Sequence, residues 1–177
     1  MRRQILILSM ISLGFFGCEL IDELTKFDME FKQTVKIPPS TIINTPFDIL
    51  LPPVETNSEA TFGSNNTRKD LIEEIRLKSL DLTINSPSES DFSYLESIEI
   101  FISAEDLPEI KIAFKEEVSA AVGAELSLDV IGDDLKEYLK KDAFSIRLKT
   151  TLDESINEEQ TIEVKSVFFV DAKILGV

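Results

Sequence analysis

Alternation of apolar and polar residues over short segments is the feature that most limits how this chain can fold. In the segment FDMEFKQTVKI at 27–37, Phe27, Met29 and Phe31 alternate with charged residues. The same period of two returns in segments beginning near positions 75, 98, 110, 126, 144 and 162. Alternation of this kind predicts strands that bury one face and expose the other to water.

These segments amount to about eight strands and one short helix, the latter predicted within GDDLKEYLKKD at 132–142. No long amphipathic helix and no strand–helix–strand alternation accompany them, which favours an all-β, antiparallel β-sandwich with immunoglobulin-like Greek-key connections. A partly open β-barrel is the alternative. The chain has no tryptophan and a single cysteine, so the immunoglobulin hallmarks themselves are absent.

Two interruptions of the strand pattern carry positional information. The short strand at 47–51 has prolines on both sides, which predicts an edge strand. In the segment 75–84 the apolar phase shifts partway along, which predicts a β-bulge near Lys78 or Ser79. Residues 54–68 are mostly polar and are expected to form a loop.

Charge and residue usage exclude several classes of function. Asp and Glu number 33 against 18 Lys and Arg, a net charge of −15, so phosphate backbones would repel the chain and nucleic acid is not an expected partner. No histidine is present, which removes the usual general base and the commonest metal ligand. The six glycines form no phosphate-binding loop. The chain also has no tryptophan, the flat ring on which sugars commonly pack, so a sugar-active site is disfavoured. Taken together, these absences lead us to expect a protein that is not an enzyme.

The start of the chain has the layout of a secretory signal. Arg2 and Arg3 precede an apolar run at 5–16, and the small residue Gly17 stands directly before Cys18. The apolar run is too short to span a bilayer comfortably. Because Cys18 is the only cysteine, it cannot form an intramolecular disulfide, and an exported free thiol would be open to oxidation.

The stretch Phe15, Phe16, Gly17, Cys18 resembles the lipobox of bacterial lipoproteins, in the looser form familiar from Bacteroidota. In the usual motif Leu stands where this chain has Phe15, and a small residue where it has Phe16. The resemblance implies that signal peptidase II recognises Phe15, Phe16 and Gly17 and removes residues 1–17. It also implies a covalent lipid on Cys18, so the partner at this end is the membrane. We expect no other cofactor, with calcium as the alternative.

The residues after Cys18 suggest where the anchored protein faces. The stretch ELIDEL, with Glu19, Asp22 and Glu23, resembles the short acidic export signal of Bacteroidota lipoproteins. It favours an outer-membrane lipoprotein that faces outwards, with a periplasm-facing site as the alternative. The expected organisation is a signal peptide at 1–17, a short acidic tether at 18–26 and a single β-sandwich domain at 27–177.

Calcium is the small ligand that the acidic composition permits, because Ca²⁺ takes several oxygen ligands together. Asp133 and Asp134 are the candidate ligands, although the chain has no D-x-D-x-D-G loop and acidic loops are more often simply solvated. Carboxylates lie near predicted loops at Glu116, Glu117, Asp129, Asp133, Asp134, Asp153, Glu154, Glu158 and Glu159.

Three functions fit these observations. The first is a non-catalytic binding module whose loops or acidic face contact another envelope protein. The second is a structural or assembly component of an envelope complex or filament, docking through an exposed strand edge. The third is a carrier that holds a hydrophobic ligand between its sheets.

Overall fold

The alternating segments bury their apolar faces against one another as two stacked sheets. The structure, a computed structural model, describes residues 26–173. Two short helices, α1 (Ser58–Ser64) and α2 (Lys136–Leu139), and a 3₁₀ helix at Lys69–Leu71 lie among the strands. The strands are β1 (Lys26–Ile37), β2 (Phe47–Leu50), β3 (Val54–Glu55), β4 (Ile72–Ser86), β5 (Leu95–Ala104), β6 (Leu107–Lys115), β7 (Glu125–Ser127), β8 (Asp129–Val130), β9 (Ala143–Leu152) and β10 (Gln160–Ala172).

All strand pairs are antiparallel, and they are nested within one another. Sheet I has the order β1-β10-β4-β7, and sheet II has the order β2-β9-β5-β6-β8, with β3 pairing with β9 as well. The hairpin β5–β6 is therefore enclosed by the pair β4–β7, then by β2–β9, and finally by β1–β10. Nested pairs distributed over two sheets make a jelly roll, a sandwich of two Greek keys.

The predicted all-β antiparallel sandwich is thus confirmed, and the strands of the described chain do not close into a barrel. Its strand order is that of a jelly roll and differs from the ABED and CFG sheets of an immunoglobulin constant domain. Alternation in a sequence reports which face a side chain occupies, but it carries no information about which strand lies alongside. The predicted helix is present as the four-residue α2.

The core lies between the sheets and is centred on aromatic rings. Every second residue of β10 from Ile162 to Ala172 is buried. Phe168 of β10 is fully buried, with its ring centroid 6.0 Å from that of Phe144 on β9 and 5.8 Å from that of Phe31 on β1. The edge-on pair of Phe168 and Phe144 joins the two sheets, whereas the pair of Phe168 and Phe31 lies within sheet I.

Both predicted interruptions of the strands are confirmed. Ser79 pairs with Val167 and Leu77 with Phe168, so Lys78 is the extra residue of a bulge. Strand β2 lies at an edge of sheet II.

The prediction of a polar loop at 54–68 is wrong, because this segment contains β3 and α1. One apolar side chain accounts for the difference: Phe62 of α1 is fully buried and its ring packs 6.3 Å from that of Phe27. A single phenylalanine among polar residues gives no periodicity that would predict a helix.

The sandwich has two distinct ends. At the basal end, β1 begins at Lys26 opposite Asp171 of β10, and the Thr67 hydroxyl donates a 2.5 Å hydrogen bond to the Lys173 carbonyl. Helix α1 and the 3₁₀ helix lie at this end. At the opposite, distal end lie the loops 38–46, 87–94, 116–124 and 153–159. Within residues 26–173, no helix has the length and apolar character needed to cross a membrane.

Candidate functional site

The four loops at the distal end carry eight carboxylates and no Lys or Arg. The carboxylates lie in three of these loops, 87–94, 116–124 and 153–159. Of their carboxylates, Glu159 forms a 3.0 Å ion pair with Lys36 of β1. The carboxylates are Glu89, Asp91, Glu116, Glu117, Asp153, Glu154, Glu158 and Glu159. The strand faces differ, because opposite charges pair across them, as Arg147 does with Asp48 and Glu109.

Two of the distal loops enclose a groove of about 330 Å³, which we call the distal groove. The loops meet because β4 lies beside β10 in sheet I while β5 lies beside β9 in sheet II, so the connections 87–94 and 153–159 cross between the sheets side by side. The groove is lined by Pro87, Glu89, Ser90, Asp91, Ser93, Tyr94, Glu154, Ser155, Ile156, Asn157, Glu158 and Gln160.

Backbone hydrogen bonds hold the walls of the groove in place. The Tyr94 carbonyl accepts a 3.1 Å hydrogen bond from the Asp153 amide, which ties one loop to the other. Ile156 and Ser40 exchange two hydrogen bonds of 2.8 Å, which attach the loop 38–46 to the same wall. A concave site fixed in this way is formed before any ligand arrives.

Asp91 is fixed and charged at the rim of the groove. Its Oδ1 accepts a 3.0 Å hydrogen bond from the Ser93 amide. Hydrogen bonding by Ser93, through its side chain and its backbone, holds the pKa of Asp91 below its ordinary value. The Asp91 carboxylate is therefore ionised at neutral pH and presents a full negative charge.

Three buried polar atoms at this end have no hydrogen-bond partner within the described residues: Tyr94 OH, Thr150 Oγ1 and Gln160 Oε1. Gln160 is only 5% exposed and Thr150 only 4%. Burial, with a smaller effect from the charge of Asp91, raises the pKa of Tyr94, so its hydroxyl stays neutral. An unpaired buried polar atom costs about 1–3 kcal/mol, so each is a place where a ligand or water could stabilise the protein.

Tyr94 and Thr150 also border an apolar cavity between the sheets. Its volume is about 20 Å³. That is room for roughly one water molecule, whereas sites for small molecules usually measure about 300–1,000 Å³. As the described residues form it, this cavity has no space for an acyl chain.

A second groove, of about 430 Å³, lies at the basal end beside α1 and includes Glu55, Glu59 and Asp142. Here a lysine forms ion pairs with two of the carboxylates, since Lys69 Nζ lies 3.8 Å from Glu59 and 3.5 Å from Asp142. The Thr56 hydroxyl in this groove donates to the Lys141 carbonyl at 2.6 Å. In the basal groove, Glu59, Asp142 and the Thr56 hydroxyl therefore have partners within the protein.

Of the two candidate calcium ligands, Asp134 is engaged in holding the fold together. Its Oδ1 accepts 3.1 Å hydrogen bonds from the amides of Ile75 and Lys136, and its Oδ2 lies 2.9 Å from Lys136 Nζ. Partial burial opposes its charge, but the bonds from Lys136 and Ile75 outweigh that effect and lower the pKa of Asp134. Asp133 is exposed beside it, and no group of three or more potential metal-ligating side chains is found in residues 26–173.

Replacing Asp134 by alanine is expected to lower the free energy of unfolding by about 1–2 kcal/mol at pH 7, because the buried Ile75 amide loses its acceptor. A lowered carboxyl pKa means that the stabilisation exists above the ordinary value of 3.8 and is lost as the pH falls through the lower pKa of the folded state. Urea unfolding at pH 7 and pH 3 should therefore show a smaller difference at pH 3. Asp133→Ala is the control, and an equal loss in that variant would contradict the assignment.

The other predicted site residues lie outside the described residues: Phe15, Phe16, Gly17, Cys18, Glu19, Asp22 and Glu23. Sequence reasoning noted the carboxylates of the loop 153–159 but missed Glu89, Asp91, Tyr94 and Gln160. The acidic composition of SESD at 88–91 and DESINEE at 153–159 was visible. Their adjacency depends on the strand order, which the sequence pattern does not supply.

The fold and the groove together define a class, an all-β jelly-roll domain with an acidic groove between its distal loops.

No protein-family model matches the chain, and neither does any curated protein. Among solved structures, it is similar to empty-head turnip yellow mosaic virus, with 10% identity over 84% of each chain and a TM-score of 0.31. Desmodium yellow mottle tymovirus gives 10% identity over 85% of each chain and a TM-score of 0.28.

Proposed function

We propose that this protein is a lipid-anchored lipoprotein of the bacterial outer membrane that acts as a non-catalytic binding module. In this proposal Cys18 carries the lipid, and the distal groove and its neighbouring loops contact another envelope protein. The observation that supports the proposal is the placement of the two ends. Strand β1 begins at Lys26 at the basal end, whereas the groove, whose carboxylates form no ion pair within the described residues, lies at the distal end.

The dimensions of the domain favour this arrangement. Strand β1 has 12 residues and spans roughly 37 Å at about 3.3–3.4 Å per residue. The tether from Cys18 to Phe27 can reach at most about 30 Å. An anchored domain would thus stay close to its membrane while β1 separates the distal groove from it. The proposed orientation is outward-facing, on the acidic residues Glu19, Asp22 and Glu23.

The distal surface also offers apolar contact. Ile42 and Ile43 in the loop 38–46 are 54% and 42% exposed, and the hydrogen bonds between Ser40 and Ile156 join this loop to the groove. Exposed apolar side chains beside a charged groove are a common composition for a protein interface. The two features together fit a protein partner.

Assembly through a strand edge is the second candidate, and β1 is the observation that favours it. Strand β1 forms a long edge of sheet I without an internal proline. The outermost strands at the other edges are short: β7 in sheet I, and β2 with β3 and β8 in sheet II. Two features of β1 oppose strand addition: Gln33 Nε2 donates a 2.7 Å hydrogen bond to the Pro52 carbonyl, and Lys32 and Lys36 line its exposed face.

Photo-crosslinking in intact cells distinguishes these candidates. A photoreactive amino acid at Asn157, in the distal groove, is expected to capture a specific envelope protein. The same amino acid at Ser64, on α1 at the basal end, serves as the control and should capture none. A third position, Thr34 on β1, tests the strand edge. Capture through Thr34 and not through Asn157 would overturn the loop-binding function in favour of assembly, and capture through none of the three would contradict both.

A further inference from the structure

The walls of the distal groove carry charge that the protein does not neutralise. Glu89, Asp91, Glu154 and Glu158 form no ion pair with a Lys or Arg among residues 26–173, although most basic residues on the strand faces are paired. Carboxylates held together in a concave site attract cations and concentrate them there. Many solvated loops have this charge pattern, so the identity of the ligand depends on a second feature of the groove.

Gln160 is that second feature. Its side chain lines the groove although the residue is 5% exposed, and its Nε2 donates a 3.1 Å hydrogen bond to the Glu158 carbonyl. The amide is thereby anchored by its nitrogen, while Oε1 is left without a donor. A buried acceptor without a donor is costly, and a donor that arrives with a ligand would remove that cost.

The chemistry that fits carboxylate walls and an amide acceptor is a cation with several N–H donors. A calcium ion needs about six to eight oxygen ligands at 2.3–2.6 Å, and the described residues contain no such group. A guanidinium group spreads its charge over a planar fork with five N–H donors, which can reach several acceptors at once. A lysine ammonium is more compact and more strongly hydrated, so it loses more hydration on entering a groove.

We propose that the distal groove binds an arginine side chain of the partner protein, with carboxylates of the two loops at its sides and Gln160 Oε1 accepting one of its N–H groups. This proposal rests on the proposed function, since it names the chemistry by which the distal loops would recognise their partner. Ile42 and Ile43 place exposed apolar surface beside the groove, so the segment recognised carries an apolar residue next to its arginine.

The probe for the test is the labelled peptide Gly-Leu-Arg-Leu-Gly, titrated into the full-length lipidated protein in detergent and followed by fluorescence anisotropy. The same peptide with citrulline in place of arginine keeps the shape and removes the charge. We expect the arginine peptide to bind and the citrulline peptide to bind at least about tenfold more weakly, and we expect the affinity for the arginine peptide to fall as salt rises. Equal binding of both peptides, or no binding of either, would overturn the proposal.

Matched variants test the location of the site. Glu154→Gln combined with Glu158→Gln is expected to raise the Kd about fivefold to tenfold. Glu116→Gln with Glu117→Gln removes the same charge from the same end outside the groove and should change the Kd less than about twofold. Gln160→Leu should also weaken binding, since it removes the acceptor. Equal weakening by both glutamate pairs would reduce the effect to bulk charge and overturn the site.

The failure of this inference is distinguishable from the failure of the proposed function. Capture of a partner through Asn157, combined with equal binding of the arginine and citrulline peptides, would leave the loop-binding function standing and remove the arginine assignment. Conversely, arginine-specific binding that is lost in the Glu154 and Glu158 variant would support the site whichever partner is captured.

Discussion

Replacing Cys18 with serine is expected to remove nearly all of the protein from the membrane fraction or to leave it as an uncleaved precursor. The proposed anchor has several acyl chains on one residue, and such anchors hold far more firmly than one chain. The acidic composition of the chain favours release, because anionic lipid would repel it. Cell fractionation, with mass spectrometry of the modified N-terminus, measures the result.

The acidic tether supplies the control for this experiment. Neutralising Glu19, Asp22 and Glu23 as Gln, Asn and Gln leaves Cys18 intact, so membrane association should be unchanged. Protease treatment of intact cells should cleave the wild-type domain and spare this variant, because only the proposed outward export is lost. Cys18→Ser protein of mature length that stays in the membrane fraction would refute the anchor, and protection of the wild-type domain until lysis would refute the outward orientation.

The orientation of side chains could be predicted from the sequence because it is a local property. The alternation from Ile162 to Ala172 marks the buried face of β10, and the phase shift around Lys78 marks the bulge. Both features follow from the two-residue repeat of a strand. A single sequence shows such patterns because each buried position requires an apolar side chain, whichever strand lies beside it.

The strand order could not be predicted, because it depends on pairs that are distant along the chain. Strand β1 pairs with β10 from Lys26 opposite Asp171 to Ile37 opposite Gln160, and no local pattern in either strand names the other. The distal groove could not be predicted for the same reason. Glu89 and Glu154 line the same groove because β4 lies beside β10 and β5 beside β9. The site can therefore be identified only once the strand order is known.

The adjacent pair Phe168 and Phe169 tests the inward and outward faces of β10 directly. Phe168→Ala is expected to lower the free energy of unfolding by about 3–5 kcal/mol, because the fully buried ring leaves a cavity beside Phe144 and Phe31. Phe169 is half-buried on the outer face of the same strand, so Phe169→Ala should cost at most about 1 kcal/mol. Urea unfolding of both variants measures the difference. Both variants replace a phenylalanine of the same strand by alanine, so the two changes in stability differ only through the direction of the side chain. Equal losses of stability would show that the two faces of β10 are not buried to different extents.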